Sequence, residues 1–133
     1  YSKHVIFADM EGNVALFDLV NGNGKPERFT VKFSPRFIRT GWLESTWILA
    51  GDKGIMFQSF KDPSDRKVVR FVPEVMNMWV TGDSKTALYT LDEGAPYIYR
   101  FDIRTREQLP PIRVRGVTMA TTLRMGSNNS ICY

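Results

Sequence analysis

The stretch Trp47-Ile48-Leu49-Ala50-Gly51-Asp52-Lys53-Gly54-Ile55-Met56-Phe57-Gln58-Ser59-Phe60 decides the fold. Two apolar runs flank the insert Gly51-Asp52-Lys53-Gly54. Each run is short and rich in Ile, Phe and Trp, a composition and length that fit strands, and neither keeps the 3.6-residue apolar period of a helix. Glycines and an aspartate between two such runs supply the backbone freedom and the local hydrogen bonding of a tight turn. The stretch therefore reads as a β-hairpin.

The same pattern occurs on either side. Val5-Ile6-Phe7-Ala8 is followed by Asp9-Met10-Glu11-Gly12 and then Val14-Ala15-Leu16-Phe17-Asp18. Ala87-Leu88-Tyr89-Thr90-Leu91 is followed by Asp92-Glu93-Gly94 and then Tyr97-Ile98-Tyr99-Arg100-Phe101-Asp102. The turn glycines Gly12, Gly54 and Gly94 stand 42 and 40 residues apart. Ile6, Ile48, Leu88 and Ile131 repeat at separations of 42, 40 and 43, and the Phe17-Asp18 and Phe101-Asp102 pairs lie 84 apart. Self-similarity at a fixed period of this length marks a repeat architecture. Asn21-Gly22-Asn23-Gly24 is a hairpin-turn signal ahead of the next run. Lys61 to Asp65 and Arg104 to Glu107 fill the equivalent place in the second and third units. Third strands are expected over Arg28–Phe33, Lys67–Phe71 and Ile112–Val114, and fourth strands over Phe37–Trp42, Val75–Val80 and Thr118–Met125. The repeat units are 1–42, 43–82 and 83–126, with a further unit starting over 127–133.

Four short antiparallel strands recurring about every 42 residues make the blade of a β-propeller. The units resemble divergent WD40-type repeats: Phe17-Asp18 and Phe101-Asp102 stand where that family has Trp-Asp, and Asp9, Asp52 and Asp92 sit where it carries a turn aspartate. The chain departs from the family in having no Gly-His dipeptide, no Trp-Asp pair, and a middle unit whose second strand ends Ser59-Phe60. The resemblance implies an all-β fold of four-stranded antiparallel blades, incomplete in this chain. Closed propellers use four to eight blades. About three are present over 1–133, so the remaining blades are expected from the same longer chain, or else from another one.

Composition narrows the function. With 133 residues, 43% hydrophobic and 24% charged, the chain is globular in character. Its single cysteine, Cys132, and single histidine, His4, exclude a cysteine metal cluster and a histidine-pair site, and no metal or cofactor is expected. Nothing in the pattern points to a membrane. Cys132 falls in an apolar register and reads as a buried thiol, and His4 as an edge residue without a nucleophile at motif spacing. Asp9, Asp52 and Asp92, with Gly12, Gly54 and Gly94, read as structural turn residues, because recurrence at one point of a repeat is what structural roles produce. Asn128-Asn129-Ser130 matches a glycosylation acceptor but reads as a turn, and no phosphate-binding loop is present. Trp47 reads as core; Trp42 and Trp79 are expected to fill space between blades.

The net charge of +4 is concentrated in the Arg100–Arg124 stretch, where six arginines face only Asp102 and Glu107. Arg104, Arg106, Arg113 and Arg115 are the candidate partner-binding residues. Period-two alternation puts Arg113 and Arg115 on one face, with Val114 pointing inward. The leading expectation is a non-enzymatic protein–protein interaction scaffold, a subunit of a larger complex inside the cell, cytoplasmic or nuclear. The alternatives are a nucleic-acid-associated propeller using the arginine cluster, and a small-molecule-binding or enzymatic propeller whose site lies in blades absent here.

Overall fold

A computed structural model of the chain describes residues 3–20, 24–41, 45–92, 97–114, 124–125 and 131–132. All regular structure among them is β, as expected. The first sheet orders β1 (His4–Ala8), β2 (Asn13–Asp18) and β3 (Glu27–Thr30) as an antiparallel meander. A second run orders β4 (Ser34–Gly41), β5 (Thr46–Ser59), β6 (Arg66–Val80), β7 (Thr86–Leu91), β8 (Tyr97–Asp102) and β9 (Gln108–Arg113), again antiparallel neighbour to neighbour. The short pair β10 (Arg124–Met125) and β11 (Ile131–Cys132) stands apart.

Two strands in the long run do double duty. A straight strand of the 14 residues of β5 would extend about 45 Å at ~3.3 Å per residue. Instead the Phe60 N–H donates to the Ser45 carbonyl at 3.0 Å, so β5 folds back on itself. Lys53, at φ 66, occupies the left-handed region at the tip. This is the hairpin that the Gly51–Gly54 insert implies. The first limb of β5 pairs with β4, Ile48 opposite Arg39, and the second limb pairs with the first half of β6, Ile55 opposite Val69. The second half of β6 then leaves for a new neighbour, Trp79 opposite Leu88 on β7. The run thus resolves into two four-stranded blades. One is β4, the two limbs of β5 and the start of β6; the other is the end of β6 with β7, β8 and β9.

The blades are offset from the sequence units by one strand. The sequence reading attached Phe37–Trp42 and Val75–Val80 to the strands before them, whereas the pairing joins them to the strands that follow. The cause lies in β6. It passes from one blade to the next without a turn, and two register shifts accompany the change: between Arg70 and Glu74, opposite Gly54 and Asp52, and between Val75 and Asn77. Strand β9 also begins earlier than the expected Ile112, because Pro110 and Pro111 are tolerated on a strand at a sheet edge. The Asn21–Asn23 turn, Trp42, Gly94, most of Thr118–Met125 and the Asn128–Ser130 turn lie outside the described residues.

Packing follows the period of two. On the first limb of β5, Trp47 and Leu49 join Val14, Val31, Phe33 and Met56 in a core against the first sheet. Ile48 and Ala50 point the other way, into a core with Ile55, Phe57, Ala87, Tyr89 and Phe101 against the third blade. The middle hairpin is apolar on both faces because it is covered on both. A third cluster, Leu88, Ile98 and Val114 with Trp79 and Ile112 against it, lies on the far face of the last blade. Val114 is buried, as alternation required, and so is Trp47.

Candidate functional site

Connections fall on two rims. On one are the hairpin tips, where Gly12 at φ +94 donates its N–H to the Asp9 carbonyl and offers its own carbonyl to the Val31 N–H at 2.8 Å. A Cβ there would run into the Val31 carbonyl. The Asp9 carboxylate accepts from the backbone N–H groups of Glu11 and Asn13 and from the Asn13 side-chain amide, each at 2.9 Å. These bonds, that to the Asn13 side chain first, hold its pKa below the ordinary aspartate value. Asp9 therefore caps its own turn. Asp52 makes no such side-chain bond among the described residues; its backbone instead lies between Ser34 and Glu74 at the hairpin tip. Gly54 is held bare by the Phe33 ring, which a Cβ would meet at 2.6 Å. Asp92 contributes its N–H to the Glu74 carbonyl at 2.8 Å.

The opposite rim carries the links between third and fourth blade strands, and there the sequence reading missed the main caps. Asp18 accepts from the Val20 N–H, and Asp102 from the Thr105 N–H, both at 2.9 Å. Asp62 accepts from the N–H of Ser64 at 3.0 Å and from its hydroxyl at 2.6 Å, and the hydroxyl bond leads in lowering the Asp62 pKa. In the link between the first and second strands of the last blade, Asp83 accepts from the Lys85 N–H at 3.0 Å. The available signal was the Phe-Asp pair recurring at Asp18 and Asp102, whose aspartate closes the strand and opens the turn.

This rim also holds the arginines. Arg106, at φ 61, reaches back to the preceding blade and grips the Asp65 carboxylate with both guanidinium ends, Nη1 to Oδ1 at 2.6 Å and Nη2 to Oδ2 at 3.0 Å. Lys67 Nζ donates to the Arg106 carbonyl at 2.8 Å. The result is a two-point clasp between the second and third blades. Arg100 donates twice to the Pro110 carbonyl, from Nε at 3.0 Å and Nη2 at 2.8 Å. Arg104 and Arg113 are exposed, while Arg115 lies outside the described residues. Arg100 and Arg106 are thus committed to intramolecular acceptors. A further clasp joins the first and second blades. The Arg66 guanidinium sits 3.6 Å over the Phe29 ring while its Nε donates to Gln58 Oε1 at 2.8 Å.

His4 sits on the edge strand β1, its ring stacked on Phe60 at 4.6 Å and 3.8 Å from the Asp18 carboxylate. Among the described residues no group of three metal-binding side chains converges. No described helix is long and apolar enough to cross a membrane. The far face of the first sheet is open and forms a shallow groove lined by Phe7, Asp9, Ala15, Arg28 and Thr30.

No protein-family model matches the chain, and no curated protein matches it by sequence. Solved structures do. The Cps50 (Swd1) β-propeller domain of Myceliophteria thermophila superposes with a TM-score of 0.66 at 17% identity, over 96% of this chain and 43% of that one. Hydrazine synthase of Kuenenia stuttgartiensis superposes with a TM-score of 0.67 at 12% identity, over 85% of this chain and 33% of that one. The chain spans less than half the length of either. With the antiparallel four-stranded blades, these likenesses establish the fold as part of a β-propeller.

Proposed function

We propose that this propeller segment is a non-enzymatic platform for protein partners, of WD-repeat character, within a larger intracellular assembly. The observation that carries the reading is the rim built on Asp18, Asp62, Asp65, Asp102 and Arg106. Its links are held by capping and clasp bonds, so the exposed side chains beside them are presented on a rigid base. Leu19 and Val20, 65% and 60% exposed, stand on this rim, as does the exposed Arg104. Arg104, Arg113 and Arg115 are the proposed contact residues, with Arg106 holding the rim that presents Arg104. The intracellular placement rests on the single cysteine and the lack of any disulfide partner.

The test is isotope-labelled affinity purification of the native protein beside an Arg104→Glu/Arg113→Glu variant. A protein recovered in fixed stoichiometry by the native form and lost by the variant supports the platform. Recovery of nucleic acid instead, released steeply by salt, would favour the nucleic-acid reading. Equal recovery by both forms would refute the assignment of these arginines.

A further inference from the structure

The outer strands of the three sheets offer different edges to the circumference. Strand β3 spans only four residues, and β9 carries Pro110, Pro111 and a register shift opposite Ile98 and Arg100. The first half of β6, the outer strand of the second blade, has neither defect. Arg66 to Arg70 run in unbroken register against Gln58 to Gly54, and no described strand pairs with the other side.

The backbone direction along this edge follows from the bond at its start, where the Ser59 N–H donates to the Asp65 carbonyl at 3.1 Å. Antiparallel pairs alternate, so Lys67 and Val69 turn their N–H and C=O groups toward β5. Those of Arg66, Val68 and Arg70 point to the open edge. The side chains sort with the same period. Arg66 lies over the Phe29 ring of the first sheet, while Lys67 reaches the Arg106 carbonyl in the third blade. Arg66, Val68 and Arg70 therefore share one face. Lys67 and Arg70 are exposed, and between the two arginines Val68, an apolar residue, keeps 43% of its surface in water.

We propose that the outer edge Arg66–Arg70 is a docking strand for an extended, acidic segment of another protein, which pairs with it antiparallel. Charge selects this occupant. The edge carries three cations and no acidic residue. The carboxylates flanking it in sequence are already engaged, Asp65 by Arg106 and Glu74 by Arg36. Like charges facing each other across a ladder are destabilising and opposite charges favourable. The edge therefore repels a second copy of itself, as charged edges do, and favours carboxylates opposite Arg66, Lys67 and Arg70. Main-chain bonds to Arg66, Val68 and Arg70 supply the attachment, and Val68 takes an apolar side chain. This surface is distinct from the rim, and the proposal does not rest on Arg104 or Arg113.

The probe is a synthetic peptide, acetyl-Thr-Glu-Thr-Val-Glu-Glu-Thr-amide, which in antiparallel register sets its glutamates against Arg70, Lys67 and Arg66 and its valine against Val68. A second peptide has each glutamate replaced by lysine. Amide exchange of the native chain is followed by NMR with either peptide in excess. With the acidic peptide the Arg66, Val68 and Arg70 amides should slow by about fivefold or more, while those of Lys67 and Val69, already bonded to β5, change little. The lysine peptide should leave all five unchanged. Val68→Pro removes one outward donor without breaking a bond to β5 and should abolish the effect, whereas Val68→Ala should keep it. Unchanged exchange with the acidic peptide, or equal protection by both peptides, would overturn the proposal. So would shifts of the arginine side-chain signals with the three amides unprotected, which would mark a surface that binds by charge alone. Protection in the native chain alone that rises with protein concentration would overturn it too, because a second copy would then be the occupant. If Val68→Pro fails to fold, N-methylation of the peptide's valine removes the same rung from the other side, with loss of protection at Val68 supporting the proposal and its retention overturning it.

Discussion

Truncating Phe7, Leu49 and Tyr89 in turn to alanine measures how the blades stack. Leu49 is wholly buried between the first sheet and the second blade. Its truncation removes buried methyl groups and leaves a cavity, at a cost of about 3 kcal/mol within the usual 2–5. Tyr89, in the core between second and third blades, stacks on Phe101 at 5.6 Å, and Tyr89→Ala should cost about 4 kcal/mol. Phe7 keeps roughly 60% of its surface in water. Fully burying a phenylalanine contributes about 2–3 kcal/mol, so Phe7→Ala should cost about 1 kcal/mol. With a urea slope of about 2 kcal/mol per molar, the midpoints should fall by about 2 M for Tyr89→Ala, 1.5 M for Leu49→Ala and 0.5 M for Phe7→Ala. Far-UV circular dichroism at low protein concentration reads the three curves. The order is diagnostic: phenylalanine loses more apolar atoms than leucine, so equal burial would make Phe7→Ala cost more than Leu49→Ala. That inversion would refute the stacking.

The Arg106–Asp65 clasp has one partner 13% and the other 54% exposed, so a double-mutant cycle of Arg106→Ala with Asp65→Ala should return a coupling of no more than about 1 kcal/mol. Gly12→Ala, which meets both a positive φ and the Val31 carbonyl, should destabilise by about 2 kcal/mol or more in urea, whereas Gly24→Ala, with open space around it, should cost less than half as much. Asp9 has its folded pKa lowered by its hydrogen bonds, so its stabilisation is present above the ordinary pKa of 3.8 and fades as pH falls through the lower folded value. Acid titration of Asp9→Asn against the native chain should show the difference between them shrinking in that range, and a constant difference down to pH 2 would contradict the assignment.

The hairpins were legible because their information is local. The glycine at position 12 and the Gly51–Gly54 insert sit where the backbone must reverse, and flanking apolar runs report strands covered on both faces. The blade boundary was illegible for the converse reason: β6 crosses from one sheet to the next in extended conformation, and Pro73 lies within that strand without turning the chain. The intramolecular acceptors of Arg106 and Arg100 were not legible because they are distant or unmarked. Asp65 lies 41 residues before Arg106, and the carbonyl that holds Arg100 belongs to Pro110, a group every residue carries. The turn aspartates divide in the same way. Asp9 caps its own turn, within four residues, while Asp52 meets neighbours whose positions depend on the fold.

The central claim is that the middle hairpin is sandwiched between two other sheets of a partial propeller. Methyl-resolved nuclear Overhauser spectroscopy of the native chain tests it most directly. The Leu49 methyls should report proximity to the group containing Val14 and Val31, and the Ile48 methyls to the group containing Ala87, Tyr89 and Phe101, with no crossing between the sets. Ile48 and Leu49 both reporting the same sheet, or a helical pattern of contacts between Trp47 and Phe60, would contradict the account.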